Sequence, residues 1–338
     1  MTNVHNTLYV TTPEAYVGLE GDSLKVRVER QTRVQVPLHH LVSVVCMGPV
    51  LVSADAMAAC AEQGVAVVFL RSNGRYLARV EARQNHTATI RRAQYRAADD
   101  AAQALRLARG FVVGKIANTR VLLRRGGRTR DEGVDEIASA GDRLRALAER
   151  AAQADDLDTL RGHEGEAASR YFEVFDALMA SEPFRFEKRT RRPPENAVNA
   201  MLSFGYALLS TDCVAALQGA GLDPAVGYLH GERSGRPALA LDLMEEFRAM
   251  MVDRLVLALI RLKQAAPEDF VTLPTREVRL TDGFRKTFLV EYQRRKQEEV
   301  THPESGQTAA WAVMPHIQAR LLARAIREGV EYVPFLAR

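Results

Sequence analysis

The chain is poor in several things, and each shortage removes a class of function. It has three cysteines, Cys46, Cys60 and Cys213, in 338 residues. They are far apart, odd in number and never paired as CxxC, which excludes a cysteine-built zinc site and predicts buried thiols in a reducing compartment. No apolar run approaches the roughly 18 residues that a bilayer span needs. The opening residues MTNVHNTLYV lack the basic and long apolar parts of a secretory signal. The expectation is therefore a cytoplasmic protein without a membrane partner. No G-x-S-x-G elbow occurs, and Ser203 and Ser210 fall in a buried helix pattern, so a serine hydrolase has little support. Internal repeats are absent. Lysine is scarce as well, at six of the 46 basic residues. The planar fork of arginine suits phosphate better than a point charge does, although a GC-rich genome also raises arginine.

What is present is unevenly arranged. Between Arg71 and Arg130 fifteen Lys and Arg face three acids, whereas Asp131 to Glu182 holds fourteen acids against five arginines. A basic segment beside an acidic one fits a polyanion-binding surface next to a metal-binding or partner surface, and equally fits two solvated faces. The first eighty residues are β-rich: LYVTT, SLKVRVE and RVQVPL are short valine- and leucine-rich runs. LVSVVCM, SADAMAACAEQG and VAVVFL follow as strand, helix and strand, with Ser53 as N-cap and Gly64 as C-cap. Asn73-Gly74 predicts a hairpin turn. From Arg91 the period becomes helical. RGGRTRDEG (125 to 133) predicts a loop, and a helix break is expected near Gly162. PPENAVNAMLSFGYALLSTDCVAALQGAGL is apolar nearly all round, as a central buried helix would be, with its prolines in the first turn. The predicted fold class is α+β, a small N-terminal β-rich domain (1–90) followed by a large α-helical domain (91–338).

Chemistry concentrates in GYLHGERSGRPALALDLMEEFR, residues 227 to 248. In a helix from about Pro237, Leu239, Leu243, Met244, Phe247, Met251, Leu255 and Leu259 mark a core side. Asp242, Glu245, Glu246 and Asp253 gather towards the other. Asp242 and Glu245, three apart, can point into one small volume. Their place near a helix start is explained equally by the macrodipole. His230 sits in a glycine-flanked loop, and a lone loop histidine is an ordinary structural feature. Glu164 and Glu166 in LRGHEGEAASRYF open the other candidate segment, again where a helix N-terminus favours acids. The spacing alone decides nothing between a metal site and two helix starts.

LRGHEGEAASRYF, PPENAVNAMLSFGYALL and GAGLDPAVGYLHGERSGRPALALDLMEEFR, in that order, resemble the universal CRISPR adaptation endonuclease and integrase family. This is the family of the first CRISPR-associated protein, and the likeness is to its type I members. VPLHHLVSVVCMGPVLVSADAMAACAEQGVAVVFL is similar to that family's β domain, so the resemblance covers nearly the whole chain. It implies metal ligands at Glu164 (the EG motif), His230 (GxxH) and Glu245 (D-x-x-[DE]), with Asp242 as the adjacent catalytic carboxylate. Whether Asp242 or Glu245 is the direct ligand stays open. Two carboxylates and an imidazole suit Mg²⁺ or Mn²⁺. The resemblance further implies 3′-hydroxyl attack on a phosphodiester and insertion of short DNA into a CRISPR array. It also implies a homodimer with the N-terminal domain in dimer and partner contacts, and a complex with the small second CRISPR-associated protein. Double-stranded and branched DNA would be the substrate, with Arg189, Arg191, Arg192 and Arg248 as contacts. Phe284, Phe288 and Tyr292, at spacing four in a basic stretch, are expected in the core. The rival reading is a non-catalytic DNA-binding scaffold of the same fold.

Overall fold

The computed structural model describes residues 6–72, 74, 76–80, 88–128, 133–179, 183–304 and 306–337. The chain divides into two compact units, one of Met1–His86 with Lys286–Gln293 and one of Thr87–Arg285 with Arg294–Arg338.

In the first unit, valine and leucine alternation builds two four-stranded sheets. The strands are β1 (Asn6–Val10), β2 (Tyr16–Glu20), β3 (Ser23–Val28), β4 (Gln31–Pro37), β5 (Leu41–Met47) and β6 (Leu51–Val52). After helix α1 (Ala54–Glu62) come β7 (Ala66–Leu70) and β8 (Tyr76–Val80). One sheet runs β1-β5-β7-β8 with its first three strands parallel, and the other runs β4-β3-β2-β6. Ser53 caps α1, accepting from the Ala56 amide at 3.1 Å, and Gly64 takes φ +71° just past the helix end. Both positions follow the pattern their residue types predict. Asn73 lies outside the described residues, but β7 and β8 do pair antiparallel. Val17, Leu24 and Val26 of one sheet share a core with Val44 and Val67 of the other and with Ala56 of α1. Burial lifts the Cys46 thiol to about 12 and the Cys60 thiol to about 11, so both stay neutral. All three cysteines are buried and free.

The second unit is mostly helical: α2 (Ala88–Asp99), α3 (Ala101–Gly127), α4 (Val134–Ala152), α5 (Leu157–Glu173), α6 (Phe175–Met179), α7 (Ala197–Gly219), α8 (Ala238–Met244) and α9 (Arg254–Arg261). Two short hairpins, β9 (Phe270–Thr272) with β10 (Val278–Leu280) and β11 (Glu299–Thr301) with β12 (Thr308–Ala310), flank α10 (Asp282–Gln297). Helix α11 (Met314–Glu328) precedes an irregular final segment. Helix α3 packs on α4 and α5, and α7 packs on α8 and α11. By length and hydropathy α7 could cross a membrane, yet two-thirds of its apolar window is buried inside the protein. Phe284, Phe288 and Tyr292 are all core residues.

Four boundaries differ from expectation. Helix α3 continues through Gly126 and Gly127 rather than ending at Arg124, because α6 packs close: a Cβ at Gly126 would lie 2.4 Å from Leu178 Cδ2. Helix α5 runs unbroken through Gly162 and Gly165, started by Asp156, whose carboxylate accepts from the Asp158 and Thr159 amides. The prolines of PPENAV stand before α7, which Asn196 caps through the Asn199 amide at 2.8 Å. The expected single helix from Pro237 is three pieces, with a π-helical stretch Arg248–Asp253 between α8 and α9.

Candidate active site

Every acid of the broken helix is buried: Asp242, Glu245, Glu246 and Asp253 expose 0, 3, 0 and 2%. They do not gather on a polar face; each turns to its own set of partners. Buried carboxylates without partners would be very costly, so these partners define what each acid does.

Asp242 folds the histidine loop around itself. It accepts from the amides of Tyr228 (2.7 Å), Leu229 (3.0 Å) and His230 (2.9 Å), and from His230 Nδ1 at 2.6 Å. A carboxylate only accepts, so Nδ1 carries the hydrogen and Nε2 keeps its lone pair. Gly227 allows the wrap: a Cβ there would stand 2.9 Å from both Asp242 Oδ2 and the Ala238 carbonyl carbon. Arg161 of α5 holds the same loop by two bonds to the Leu229 carbonyl, at 2.9 and 3.2 Å. With both oxygens engaged, Asp242 aims the imidazole.

Glu245 occupies the other side of that ring. Its Oε1 lies 3.9 Å from His230 Nε2 and 3.3 Å from Arg248 Nη1, and its Oε2 lies 2.8 Å from Lys115 Nζ. That Oε2 has no satisfactory hydrogen bond. Lys115, from the middle of α3, also pairs with Glu164 Oε1 of α5. Burial raises the Glu245 carboxyl, but Arg248, Lys115 and His230 together outweigh it and hold the group down at about 2. Glu166, one turn from this cluster, instead pairs outward with Arg143 of α4.

The helix-dipole account of these acids does not survive. Glu164 is the eighth residue of α5, and neither Asp242 nor Glu245 lies in the first turn of α8. Gly165, which pattern alone suggested as a point of close packing, would meet nothing on gaining a Cβ.

Beside the carboxylates a cleft is lined by Lys115, Tyr171, Arg191, Tyr206, Arg248 and Asp253. Asp253 accepts from Tyr171 at 2.8 Å and Tyr206 at 2.6 Å; burial raises its carboxyl, against those bonds and against Arg248 and Arg189. The guanidinium of Arg248 lies 4.6 Å from the Tyr206 ring centre, and its Nε is buried without a partner. Arg189 is committed to Thr190, Asn199 and Ser203, so in this structure it braces the entry to α7. Arg191 and Arg192 are exposed.

The structure therefore brings Glu164, His230, Glu245 and Arg248 together and sets Asp242 behind His230. Sequence reasoning missed Lys115. It was read among the basic residues of a polar face, although it stands four residues after buried Phe111 and three before buried Asn118. A lysine at apolar spacing was the available signal. Among the described residues no group of three or more His, Cys, Asp or Glu is gathered tightly enough to hold a metal. The donor set nevertheless fits one: two carboxylates from separate elements, an imidazole nitrogen with a free lone pair, and an orphaned buried oxygen. A lysine ammonium bridges the carboxylates as a stand-in cation.

A sequence model of the family described as CRISPR associated protein Cas1 matches residues 8–294. The CRISPR-associated endonuclease Cas1 of Moorella thermoacetica is 44% identical over 339 residues, covering 98% of each chain. Among solved structures, a casposase bound to an integration product gives a TM-score of 0.83 at 22% identity, covering 98% of this chain and 93% of that one. A chain of a Cas6-RT-Cas1–Cas2 complex also gives 0.83, at 24% identity, with all of this chain aligned to 37% of that one. At such identities these two likenesses show a shared fold.

Proposed function

Because this chain belongs to the Cas1 family of CRISPR-associated proteins, we propose that it is a metal-dependent DNA endonuclease and integrase that inserts short foreign DNA into a CRISPR array. The carrying observation is the convergence of Glu164, His230 and Glu245 from α5, a loop and the turn after α8, at positions that no helix-end effect explains.

Glu164, Glu245 and His230 Nε2 would hold Mg²⁺ or Mn²⁺, which when bound neutralises phosphodiester charge and lowers the pKa of an attacking oxygen. The chain's own residues do the rest. Asp242 fixes the Nδ1–H tautomer, so Nε2 faces the carboxylates. Arg248 places a cation where negative charge grows on the phosphate, and Tyr206 and Asp253 hold that cation in the cleft wall. Exposed Arg191 and Arg192 neutralise backbone phosphates of the double-stranded or branched DNA. The N-terminal β unit serves homodimer and partner contacts, with the small second CRISPR-associated protein completing the complex, and the work takes place in the cytoplasm beside the array.

The test is strand transfer of a 3′-hydroxyl DNA into a repeat-bearing plasmid with Mn²⁺, for Glu164→Ala, His230→Ala and Glu245→Ala. Each folded variant should lose at least about a hundredfold, the several kcal/mol of charge stabilisation that a metal supplies. Wild-type rates in all three, with normal circular dichroism, would return the chain to the scaffold reading.

A further inference from the structure

Lys115 exposes 8% and lies in the middle of a buried helix face, with Phe111, Val112 and Ile116 beside it. A lysine so placed needs anionic partners, and it has two, Glu164 and Glu245, both assigned above to the metal. The formal charges in the pocket cancel: two glutamates against Lys115 and Arg248. A divalent cation added between the same carboxylates, with Lys115 unmoved, would put two like-signed ions in one poorly solvated space. Lys115 and the metal are therefore competitors. The cleft that Lys115 also lines, with Arg191 and Arg248, gives its ammonium another anionic partner once a DNA phosphate is present.

We propose that Lys115 is a resident cation that occupies the Glu164–Glu245 pair until DNA arrives, and that a phosphate in the adjoining cleft draws it away so that the divalent metal can be held. Lys115 is thus a positioning residue that makes metal binding and DNA binding mutually reinforcing. By linkage, each ligand must strengthen the other by the same factor. The benefit is selectivity in time: the site is charge-satisfied and poorly receptive to metal while no substrate is in reach. This inference rests on the reading that Glu164, His230 and Glu245 are the metal ligands.

The experiment measures Mn²⁺ affinity by the free-Mn²⁺ electron paramagnetic resonance signal. Wild-type protein, Lys115→Met, Glu164→Gln and Glu245→Gln are compared, each with and without a duplex whose 3′ ends are dideoxy and cannot react. Wild type should bind Mn²⁺ weakly alone and at least tenfold more tightly with the duplex. Lys115→Met should bind Mn²⁺ about tenfold more tightly than wild type without DNA, and the duplex should then add much less. Equal or weaker Mn²⁺ binding by folded Lys115→Met, with both glutamine variants losing Mn²⁺, overturns the role of Lys115 and leaves the ligand assignment standing. Undiminished binding in both glutamine variants, or none in wild type even with duplex, overturns both.

Because Lys115→Met leaves two buried carboxylates facing each other, a second readout uses wild-type protein. With only six lysines, ¹³Cε-lysine labelling gives a sparse spectrum, and the Lys115 signal is assigned by its loss in Lys115→Arg. That signal should shift when Mg²⁺ and duplex are added together. A signal unmoved at saturation by both overturns the displacement.

Discussion

Glu245 and Glu246 are consecutive, nearly fully buried and chemically identical, yet their surroundings drive them in opposite directions. Glu245 faces three cationic or protonatable groups and is held at about 2. Glu246 faces only dipoles: Tyr332 Oη at 2.5 Å, Gln318 Nε2 at 2.8 Å and the Phe335 amide at 2.7 Å. There burial dominates and lifts the carboxyl to about 8, with the three donors pulling the other way. Glu246 is the anchor of the final segment. Asn118 of α3 ties the same segment down by donating to the Glu246 and Phe335 carbonyls and accepting from the Ala337 amide. Gly110 and Gly114 let Tyr332 and Pro334 lie against α3, since a Cβ at either would come within 3 Å of them. Burial alone therefore does not mark a functional acid. The charge of its partners does.

The largest effect that could break this contrast is an exchange of the two phenotypes. Glu245→Gln should cut Mn²⁺-dependent strand transfer a hundredfold or more. Glu246→Gln should mainly lower stability, by about 1–3 kcal/mol for donors left facing an amide, with activity per folded molecule within tenfold of wild type. Paired strand-transfer rates and urea midpoints decide it; a Glu246 variant that is stable but inactive would erase the distinction.

Next in size is pH. The Glu246 carboxyl titrates near 4.5 in the unfolded chain and near 8 when folded. Between those values the folded protein holds one proton more, so its contribution to stability is full below the lower value and is lost as pH rises to the upper one. Wild type should lose a few kcal/mol relative to Glu246→Gln between pH 5 and pH 8, read from urea unfolding at both. A flat difference would mean that Glu246 is already ionised in the fold.

Asp242→Asn sharpens the comparison from the other side, because it keeps the shape and removes the charge behind His230. A drop of about 10–100-fold in Mn²⁺ affinity is expected, as for lost partners of metal-bound histidines; an unchanged value would make Asp242 a loop brace only. The smallest effect lies outside the pocket. Replacing Arg191 and Arg192 with alanine should reduce the slope of log affinity for DNA against log salt by about two. Arg189→Ala should instead lower stability, since its donors are already taken within the protein.

Much of the fold was legible because it is local. Valine alternation marked the sheets, Ser53 marked the start of α1, and the all-apolar run around Met201 and Leu208 marked α7 as a core helix. The three ligands were legible only through resemblance, because their spacing alone served helix starts equally well. What could not be read depends on distant partners. Lys115 looked like one basic residue among fifteen until α5 and the residues after α8 were brought beside it. The continuation of α5 through two glycines, and the burial of Glu246 under a segment some ninety residues later, are decided by packing rather than by neighbours in the chain. The break between α8 and α9 likewise overrode a heptad-like apolar pattern that favoured one straight helix.

That π-helical stretch acts as a phase shift. A π turn accommodates an extra residue in the winding, so Glu245 before it and Leu255, Val256 and Leu259 after it are each aimed correctly only at the present count. Removing one residue between Ala249 and Val252 would let a regular helix form and turn everything beyond it by roughly 100°. Asp253 would then swing away from Tyr171 and Tyr206, and the buried face of α9 would rotate towards water. In this region the chain should therefore tolerate exchanges of residue far better than changes of length.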